Sequence, residues 1–314
     1  MVKTTFIALF SLVFVLHACT KEVHIDIPGY EAQVVVDGRI ETGGFPIVLL
    51  SRSQDLYSPA LLSAYVASFI ADATVSVSDG TTTISLDYVA VSSLPIESQK
   101  TVAEMLRAEL SDVQAVPLYV YSTTNPALLG VVGKTYTLTI LDQGKTLSGS
   151  TTLAPPVALD TLSWIPESGN PLYGFCKAKL TDPAGQKNAY KWEMKVITDT
   201  GSGQKDNIFR SSSSPYFSDQ FFDGLTLDFT VNYAVKDTTY PAGYKRDFKI
   251  YDYVVIKMSR VDDAVYSYYE RREAQKGSNG NPFATPVNIP SNISGALGIW
   301  AGISPWYDTL YCVP

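Results

Sequence analysis

Residues Ala73–Tyr88 read ATVSVSDGTTTISLDY, and this stretch decides the class of fold. Apolar and polar residues alternate before Asp79-Gly80 and again after it. Such alternation is typical of a β-strand with one buried face, because successive side chains point to opposite faces. An Asp-Gly pair between two alternating runs favours a tight hairpin turn, since glycine adopts a positive φ at little steric cost. The stretch therefore predicts a β-hairpin.

Short strands separated by turn residues are predicted on both sides of this hairpin. Gln33–Arg39 and Pro46–Arg52 flank a glycine-containing turn at 41–44 and predict a second hairpin. About seven such strands precede residue 154, at the spacing typical of an immunoglobulin- or fibronectin-III-like sandwich. Between them, Pro95–Val113 carries apolar residues at helical spacing, which predicts one inserted amphipathic helix.

The chain of 314 residues is long enough for two domains, since domains typically have roughly 100–200 residues. The best boundary is Ala154-Pro155-Pro156, because two prolines cannot continue a central strand and stiffen a linker. We therefore predict a mainly β chain of two β-sandwich units with short inserted helices. The predicted parts, in chain order, are a signal peptide at 1–18, a lipidated tether at 19–32, an N-terminal sandwich domain at 33–154 and a C-terminal sandwich-like domain at 157–314.

The second unit has its own strand and helix patterns. Phe175–Thr181 and Tyr190–Thr198 predict a hairpin-like pair, and Asp247–Arg260 predicts a long strand. Tyrosines and glutamates then recur at helical spacing up to about Lys276. An aspartate at 262 or 263 precedes this run, and aspartate is a favoured N-cap. The second unit is therefore also predicted to contain one inserted helix.

The N-terminal residues have the pattern of an export signal. Lys3 gives a positive start and Phe6–Leu16 is an apolar run. The run is too short to cross a hydrocarbon core of about 30 Å, so it predicts a cleaved secretory signal. Leu16-His17-Ala18-Cys19 resembles the lipobox of bacterial lipoproteins, which predicts that Cys19 is lipidated and begins the mature chain. The alternative is an ordinary cleaved signal that ends near a cysteine.

Charge limits the classes of partner. The chain is mildly acidic, with 24 Lys and Arg against 31 Asp and Glu, and a formal net charge of −7. Nucleic acid requires basic patches on a protein, so it is not expected as a partner. An acidic chain is also not attracted to anionic lipid, so the predicted membrane attachment depends on acyl chains at Cys19.

Two cysteines, Cys176 and Cys312, remain if Cys19 carries lipid. An exported protein meets an oxidising compartment, where such a pair tends to form a disulfide. The alternative is two buried thiols, which behave as small hydrophobic side chains. The sequence leaves both interpretations open.

The sequence contains no recognisable catalytic set. The predicted mature chain has one histidine, His24, in the tether. This argues against Ser-His-Asp and Cys-His arrangements, and phosphate-binding and dinucleotide-binding loops are missing as well. We therefore expect no catalytic residues, no enzyme activity and no cofactor. Asp and Glu are plentiful, and glycosidases use a pair of carboxylates. A carboxylate-dependent hydrolase is therefore the third hypothesis of function.

Acidic residues of the second unit offer oxygen atoms of the kind that calcium binds. They are Asp182, Asp199, Asp206, Asp219 and Asp223. Their spacing matches no calcium-loop motif, and acidic residues on loops are usually solvated. We therefore predict no metal site.

Arg210–Gly224 is predicted to be a long irregular segment that carries four aromatic residues. They are Tyr216, Phe217, Phe221 and Phe222. Long loops in compact domains tend to be functional, and exposed aromatic rings suit a protein contact or a stacked sugar or peptide. The segment is therefore a predicted binding loop. The alternative is that the four rings fill the end of a sandwich.

Several motifs along the chain resemble those of one family. They are Val34-Val35-Val36-Asp37-Gly38, Ile70-Ala71-Asp72-Ala73-Thr74-Val75, the tyrosine-rich helix after the long strand, Asn281-Pro282-Phe283 and Ser291-Asn292-Ile293. With the lipobox they span nearly the whole chain, and they resemble the Bacteroidota lipoproteins grouped as domain of unknown function 4249. The resemblance implies a lipid-anchored outer-membrane protein exposed at the cell surface.

The same resemblance implies a class of function, because such proteins are often encoded beside a TonB-dependent transporter of the outer membrane. The expected role is a non-enzymatic accessory of that transporter, with a peptide or a glycan as ligand. The alternative is a structural or adhesive surface lipoprotein without a nutrient role. Three Asp-Thr pairs also match the short O-glycosylation acceptor pattern of exported Bacteroidota proteins, at Thr161, Thr238 and Thr309. We expect one of the three to be modified.

Overall fold

Strands dominate the computed structural model, which describes residues 31–53, 68–198, 206–233, 240–277 and 288–314. The first strands are β1 (Val34–Glu41), β2 (Ile47–Arg52), β3 (Thr74–Ser78), β4 (Thr83–Ala90), β5 (Tyr119–Ser122), β6 (Thr135–Asp142) and β7 (Lys145–Thr152). The later strands are β8 (Thr161–Glu167), β9 (Asn170–Thr181), β10 (Ala189–Thr198), β11 (Arg210–Ser218), β12 (Thr226–Val231), β13 (Phe248–Lys249), β14 (Tyr253–Val261), β15 (Ile293–Ser294) and β16 (Leu297–Tyr311). The helices are α1 (Ile96–Leu106), α2 (Leu110–Ala115) and α3 (Asp263–Gly277). The predicted signal peptide, Cys19 and most of the tether lie outside the described residues.

The two hairpins predicted in the N-terminal half are confirmed. β3 and β4 pair antiparallel across Asp79-Gly80, and Gly80 has a φ of 88°. The Asp79 carboxylate accepts hydrogen bonds from the backbone N–H of Thr81 at 3.0 Å and of Thr82 at 2.8 Å, which fixes the turn. β1 and β2 also pair antiparallel, across a turn in which Gly43 has a φ of 77°.

The strands form two sheets in the described part of the chain. The larger has the order β11-β10-β14-β16-β1-β2-β5-β4-β3-β6-β7-β15, and the smaller has β12-β9-β13 with β8 also paired to β9. The mainly β, sandwich-like fold is thereby confirmed. The predicted hairpin-like pairing of β9 with β10 is wrong, because the two strands belong to different sheets. The chain crosses between the sheets at 182–188, so the apolar faces of both strands pack against each other across a core.

Two hydrophobic clusters provide the sandwich-like cores. In the first, Val36 of β1 packs with Leu138 of β6 and with other buried side chains of the first seven strands. In the second, Ala178 of the smaller sheet packs with Ile256 of the larger sheet. Gln33–Pro314 nevertheless forms one compact unit, because β16 contributes to both clusters. The domain boundary predicted between 154 and 157 stays a prediction.

β16 runs parallel to β1 and joins the C-terminal half to the first core. Gly298 pairs with Val36 and has a φ of 104°, and a Cβ atom there would lie 1.9 Å from the Val36 carbonyl oxygen. Trp300, two residues further on, is fully buried and donates from Nε1 to the Tyr136 carbonyl at 2.9 Å. The Asn292 side chain accepts from the Trp300 N–H and donates to its carbonyl, both at 2.8 Å. The Ser-Asn-Ile motif therefore fixes the position of the buried tryptophan.

The helix predictions are confirmed in part. The single helix predicted for Pro95–Val113 is wrong in extent, because the chain forms α1 and α2 with a break at Arg107, whose φ is 55°. The helix predicted after residue 262 is confirmed as α3. Its N-terminus is capped by the Asp262 carboxylate, which accepts from the Val265 N–H at 2.9 Å. None of the helices in the described residues has both the length and the apolar character that a membrane span requires.

Candidate functional site

One face of the larger sheet carries charged side chains on alternate residues. On β1, Val36 and Ile40 point into the first core, whereas Asp37, Arg39 and Glu41 point to the opposite face. β10 repeats the pattern with Lys191, Glu193 and Lys195 on the face opposite the buried Trp192 and Met194. A strand with this pattern normally turns its charged face to solvent.

In this protein the helices cover that charged face. α1 and α2 pack on β2 and β5 through an apolar cluster that includes Val102 and Leu49. α3 packs on β16 through a second cluster that includes Val265 and Ala301. Charged side chains that are buried or largely buried lie on this face and pair with one another, and we call them the ionic network. They are Arg39, Glu41, Glu104, Lys191, Glu193 and Lys257.

Lys257 of β14 is at the centre of the ionic network, and its side chain is 3% exposed. Its Nζ lies 2.9 Å from Glu41 Oε1, 3.6 Å from Glu104 Oε2 and 3.8 Å from Glu193 Oε2. Arg39 also contacts two of these carboxylates, Glu41 at 2.6 Å and Glu104 at 3.4 Å. The network joins β1, β10, β14 and α1, so residues from both halves of the sequence share one set of charges.

The pKa shifts show that the ionic network favours charged carboxylates. Burial raises the pKa of Glu193, but Lys191, Lys257 and Arg39 outweigh it and lower the pKa from 4.5 to about 2. Burial likewise raises the pKa of Glu41, and Lys257 and Arg39 outweigh it so that the pKa is lowered. Three carboxylates face three cations, so the network is neutral as a whole. Carboxylates held in this way are poor proton donors at neutral pH.

A cavity of about 300 Å³ opens beside the ionic network. Its lining includes Glu41, Lys257, Lys195 and the rings of Phe209 and Tyr307. Lys195 Nζ lies 4.8 Å from the centre of the Phe209 ring and forms no ion pair with any described residue. Burial lowers the pKa of Lys195, with a further contribution from Lys100. The cavity therefore offers an ammonium group, an aromatic ring and paired carboxylates to a polar ligand.

Exposed tyrosines continue the same sheet face beyond the cavity, and we call them the aromatic strip. They are Tyr253, Tyr307 and Tyr311, which are 40%, 49% and 41% exposed. Tyr253 pairs with Tyr311 across β14 and β16, and their rings stack at 4.4 Å. Tyr307 pairs with Lys257, lies 5.7 Å from the Phe209 ring and donates to Glu41 at 3.1 Å. The strip therefore begins at the cavity and continues along β14 and β16 to Tyr253 and Tyr311.

The predicted binding loop is only partly a loop. Arg210–Ser218 is strand β11, so the prediction of an irregular segment is wrong there. The pairing of β11 with β10 explains the difference, because it turns Phe217 onto Tyr190 and brings Tyr216 onto Tyr269 of α3. Phe222 also contacts Phe217, whereas Phe221 is 88% exposed. A binding role for this segment stays a prediction, and Phe221 is the ring that remains accessible for it.

The two remaining cysteines lie in the second core. Cys176 on β9 and Cys312 after β16 are both buried, and both are free thiols. Burial raises the pKa of each thiol, and the two are close enough for Cys176 to contribute to the pKa of Cys312. This arrangement matches the alternative of two buried small side chains, and the disulfide stays a prediction.

The other predicted residues are scattered. Thr161 on β8 and Thr309 on β16 are exposed, and Thr238 lies outside the described residues. Among the acids, Asp206 binds Arg210 and Tyr233, whereas Asp199 lies outside the described residues. The structure brings the other three, Asp182, Asp219 and Asp223, close together.

Sequence reasoning missed the ionic network and the aromatic strip. The available sequence feature was charge of both signs at alternate positions, as in Asp37-x-Arg39-x-Glu41 and Lys191-x-Glu193-x-Lys195. A solvent-facing strand produces the same pattern. Only the packing of the helices on that face distinguishes the two cases.

Comparison with known proteins assigns the chain to a family. Residues 20–305 match the family described as domain of unknown function (DUF4249), which covers most of the chain. The chain therefore belongs to the DUF4249 family. Comparison with curated proteins found no match.

The pKa shifts predict how stability depends on pH. Glu41 and Glu193 have lower pKa values in the folded protein than in the unfolded chain. The unfolded chain therefore binds more protons in acid, and stability is lost as the pH falls from about 4.5 towards 2. Glu193→Gln is expected to reduce this loss by up to about 3 kcal/mol, measured by urea unfolding at several pH values.

Asp37 provides the control for this prediction. Burial raises its pKa, against the opposing effect of Arg272 and Arg39. The contribution of Asp37 to the pH dependence of stability is opposite in sign to that of Glu41 and Glu193. A group with a raised pKa stabilises the folded protein as the pH falls through that pKa. Asp37→Asn should therefore make the acid loss steeper. If the free energy of unfolding depends on pH equally in both variants and in the unmodified protein, the pKa shifts assigned to Glu193 and Asp37 are wrong.

Proposed function

We propose that this chain is a lipid-anchored protein of the bacterial outer membrane, exposed at the cell surface, that acts by binding. Its partner in this proposal is a TonB-dependent transporter, for which it is a non-enzymatic accessory. Membership of the DUF4249 family and the lipobox-like Leu16-His17-Ala18-Cys19 support the location. The host in this proposal is a member of the Bacteroidota.

The aromatic strip is the observation that carries the binding role. Tyrosines are enriched at protein interfaces and also stack on sugars, because each has an apolar ring and a polar tip. The strip places three such rings along β14 and β16, next to a cavity with an accessible ammonium group. A peptide or glycan with an acidic group suits this combination of rings and charge.

The charged carboxylates of the ionic network support a binding role over a catalytic one. Glu41, Glu104 and Glu193 each lie within 4.0 Å of a buried cation. A general acid or base works best with a pKa near the working pH, whereas the pKa values of Glu41 and Glu193 are lowered. These carboxylates therefore serve to hold strands and α1 together.

A pull-down from the native host tests the partner. The full-length protein, purified in gentle detergent, is expected to bring a TonB-dependent transporter with it in stoichiometric amount. Tyr253→Ala/Tyr311→Ala is expected to reduce the yield of transporter at least tenfold. Tyr119→Ala, which removes a tyrosine of similar exposure on β5, outside the strip and the predicted binding loop, is the matched control and should retain it. A preparation without transporter would overturn the proposal and favour the structural or adhesive alternative.

Metabolic labelling tests the anchor. We expect a labelled fatty acid to enter the unmodified protein and not Cys19→Ala, because the lipobox cysteine is the acylated residue. The variant should also leave the membrane fraction, since acyl chains provide the attachment in an acidic protein. Equal labelling of both proteins, or unlabelled protein free in the culture medium, would rule out the anchor.

A further inference from the structure

Two loops meet at one end of the second core, and three aspartates lie where they meet. Asp182 directly follows β9, Asp219 directly follows β11, and Asp223 precedes β12. One carboxylate oxygen from each of the three lies within 4.8 Å of one from each of the others. The sequence separates these residues by up to 41 positions, so only the fold brings them together.

The three carboxylates lie close together, and two of them are buried. Asp182 is 2% exposed and Asp219 is 5% exposed, whereas Asp223 is exposed. None of the three forms an ion pair with a described residue. Buried like charges repel each other strongly and are normally paired with a cation or with a metal ion. Among the described residues, no cationic side chain is therefore in direct contact with the cluster.

Asn188 supplies an independent observation at the same place. It is 2% exposed, and its Oδ1 has no hydrogen-bond partner. The amide lies beside the cluster: its Nδ2 donates to Asp182 Oδ2 at 3.3 Å, as well as to the carbonyls of Pro183 and Gln186, and its backbone N–H donates to Asp219 Oδ2 at 2.7 Å. A buried carbonyl oxygen without a donor is uncommon in a folded protein. Side-chain amide oxygens of this type are ordinary calcium ligands.

The surrounding backbone holds these groups in place. The Gly224 N–H donates to Asp182 Oδ2 at 3.1 Å, and the Gly185 N–H donates to Asp223 Oδ1 at 2.8 Å. The Tyr190 hydroxyl donates to Asp182 Oδ1 at 2.6 Å. Supporting hydrogen bonds of this kind orient the ligands of metal sites. The carboxylates are therefore positioned by the fold and do not depend on flexible side chains.

We propose that Asp182, Asp219, Asp223 and the Asn188 side-chain oxygen bind a calcium ion. Calcium lies about 2.3–2.6 Å from its oxygen ligands, so two ligands of one ion are at most about 5 Å apart, as the three carboxylates are. Water completes the coordination on the exposed side, at Asp223. This proposal departs from the sequence-based expectation of no metal site, which rested on the missing loop motif.

The ion would join the two connections that cross between the sheets. Residues 182–188 lead from β9 in the smaller sheet to β10 in the larger sheet. Residues 219–225 lead back from β11 in the larger sheet to β12 in the smaller one. Calcium at this point would hold both crossings together and close one end of the second core.

Calorimetric titration of the full-length protein, freed of metal with a chelator, tests the proposal with calcium chloride alone as the probe. One ion per chain is expected to bind with saturation, and the thermal midpoint should rise with calcium. Asp223→Asn is expected to weaken binding at least tenfold, and as an exposed residue it should still fold. Asp228→Asn, an exposed acid on β12, is the matched control and should bind as the unmodified protein does.

The variants also separate a metal site from a merely structural cluster. Without calcium, Asp219→Asn and Asp223→Asn should be at least as stable as the unmodified protein, because each removes one repelling charge. With calcium the order should reverse. The proposal is overturned if calcium does not bind with saturation, or if both cluster variants bind it as tightly as Asp228→Asn.

Discussion

Gly298→Ala is expected to destabilise the protein by more than about 4 kcal/mol, or to prevent it from folding. The added Cβ would lie 1.9 Å from the Val36 carbonyl oxygen, and the residue would keep a φ of 104° that side chains rarely adopt. The clash is with backbone, so relief requires β1 and β16 to separate. That separation would expose Trp300 of the first core. Urea unfolding, or expression level if no folded protein forms, measures the effect.

Two other glycines separate the cost of backbone strain from the cost of the steric clash. Gly80→Ala introduces an alanine at a φ of 88° with nothing within 4 Å, so it reports backbone strain alone, expected at about 1–2 kcal/mol. Gly243→Ala meets neither strain nor contact and should change stability by less than about 0.5 kcal/mol. If Gly298→Ala costs no more than Gly80→Ala, the close approach of β16 to β1 is not the cause.

Lys257→Met is expected to cost about 3–5 kcal/mol, the range for breaking a buried ion pair by removing one partner. The variant leaves Glu41, Glu104 and Glu193 with a net negative charge, because only Arg39 and Lys191 remain to balance them. The methionine fills most of the space, so the loss reports charge more than packing. Chemical unfolding at neutral pH measures it.

Lys195→Met is the matched control, because Lys195 lies at the same cavity and forms no ion pair with a described residue. Its loss should be under about 1 kcal/mol. Adding Glu193→Gln to Lys257→Met should recover part of the larger loss, since residues in one ionic network are coupled. Equal losses for both lysines would mean that the ionic network contributes little to stability.

The strands could be predicted from the sequence because their pattern is local. Alternation and turn residues are enough to predict β3, β4 and the turn between them, including the role of Asp79-Gly80. Which strands pair with each other, by contrast, is not determined by local sequence. β9 and β10 have the pattern of a hairpin, and they separate into two sheets because each buries its apolar face against the other across the second core.

The candidate site was less predictable than the strands. Arg107 breaks the predicted helix at a positive φ and pairs with Glu273 of α3, far along the sequence. Helical periodicity alone does not predict the contact between Arg107 and Glu273. The same holds for the aspartate cluster, in which Asp182 after β9 meets Asp219 and Asp223 from the connection between β11 and β12. Residues that come together only after long-range pairing leave no pattern within a short window.

The parallel pairing of β1 with β16 has a consequence for how the chain folds. The first core is incomplete without Trp300, so β1 lacks one of its two neighbouring strands until β16 has been synthesised. Contacts between distant residues make folding slow, and during that delay the open edge of β1 invites pairing with other chains. A chaperone that shields this edge would therefore raise the yield of native protein, and truncation before β16 would produce aggregates.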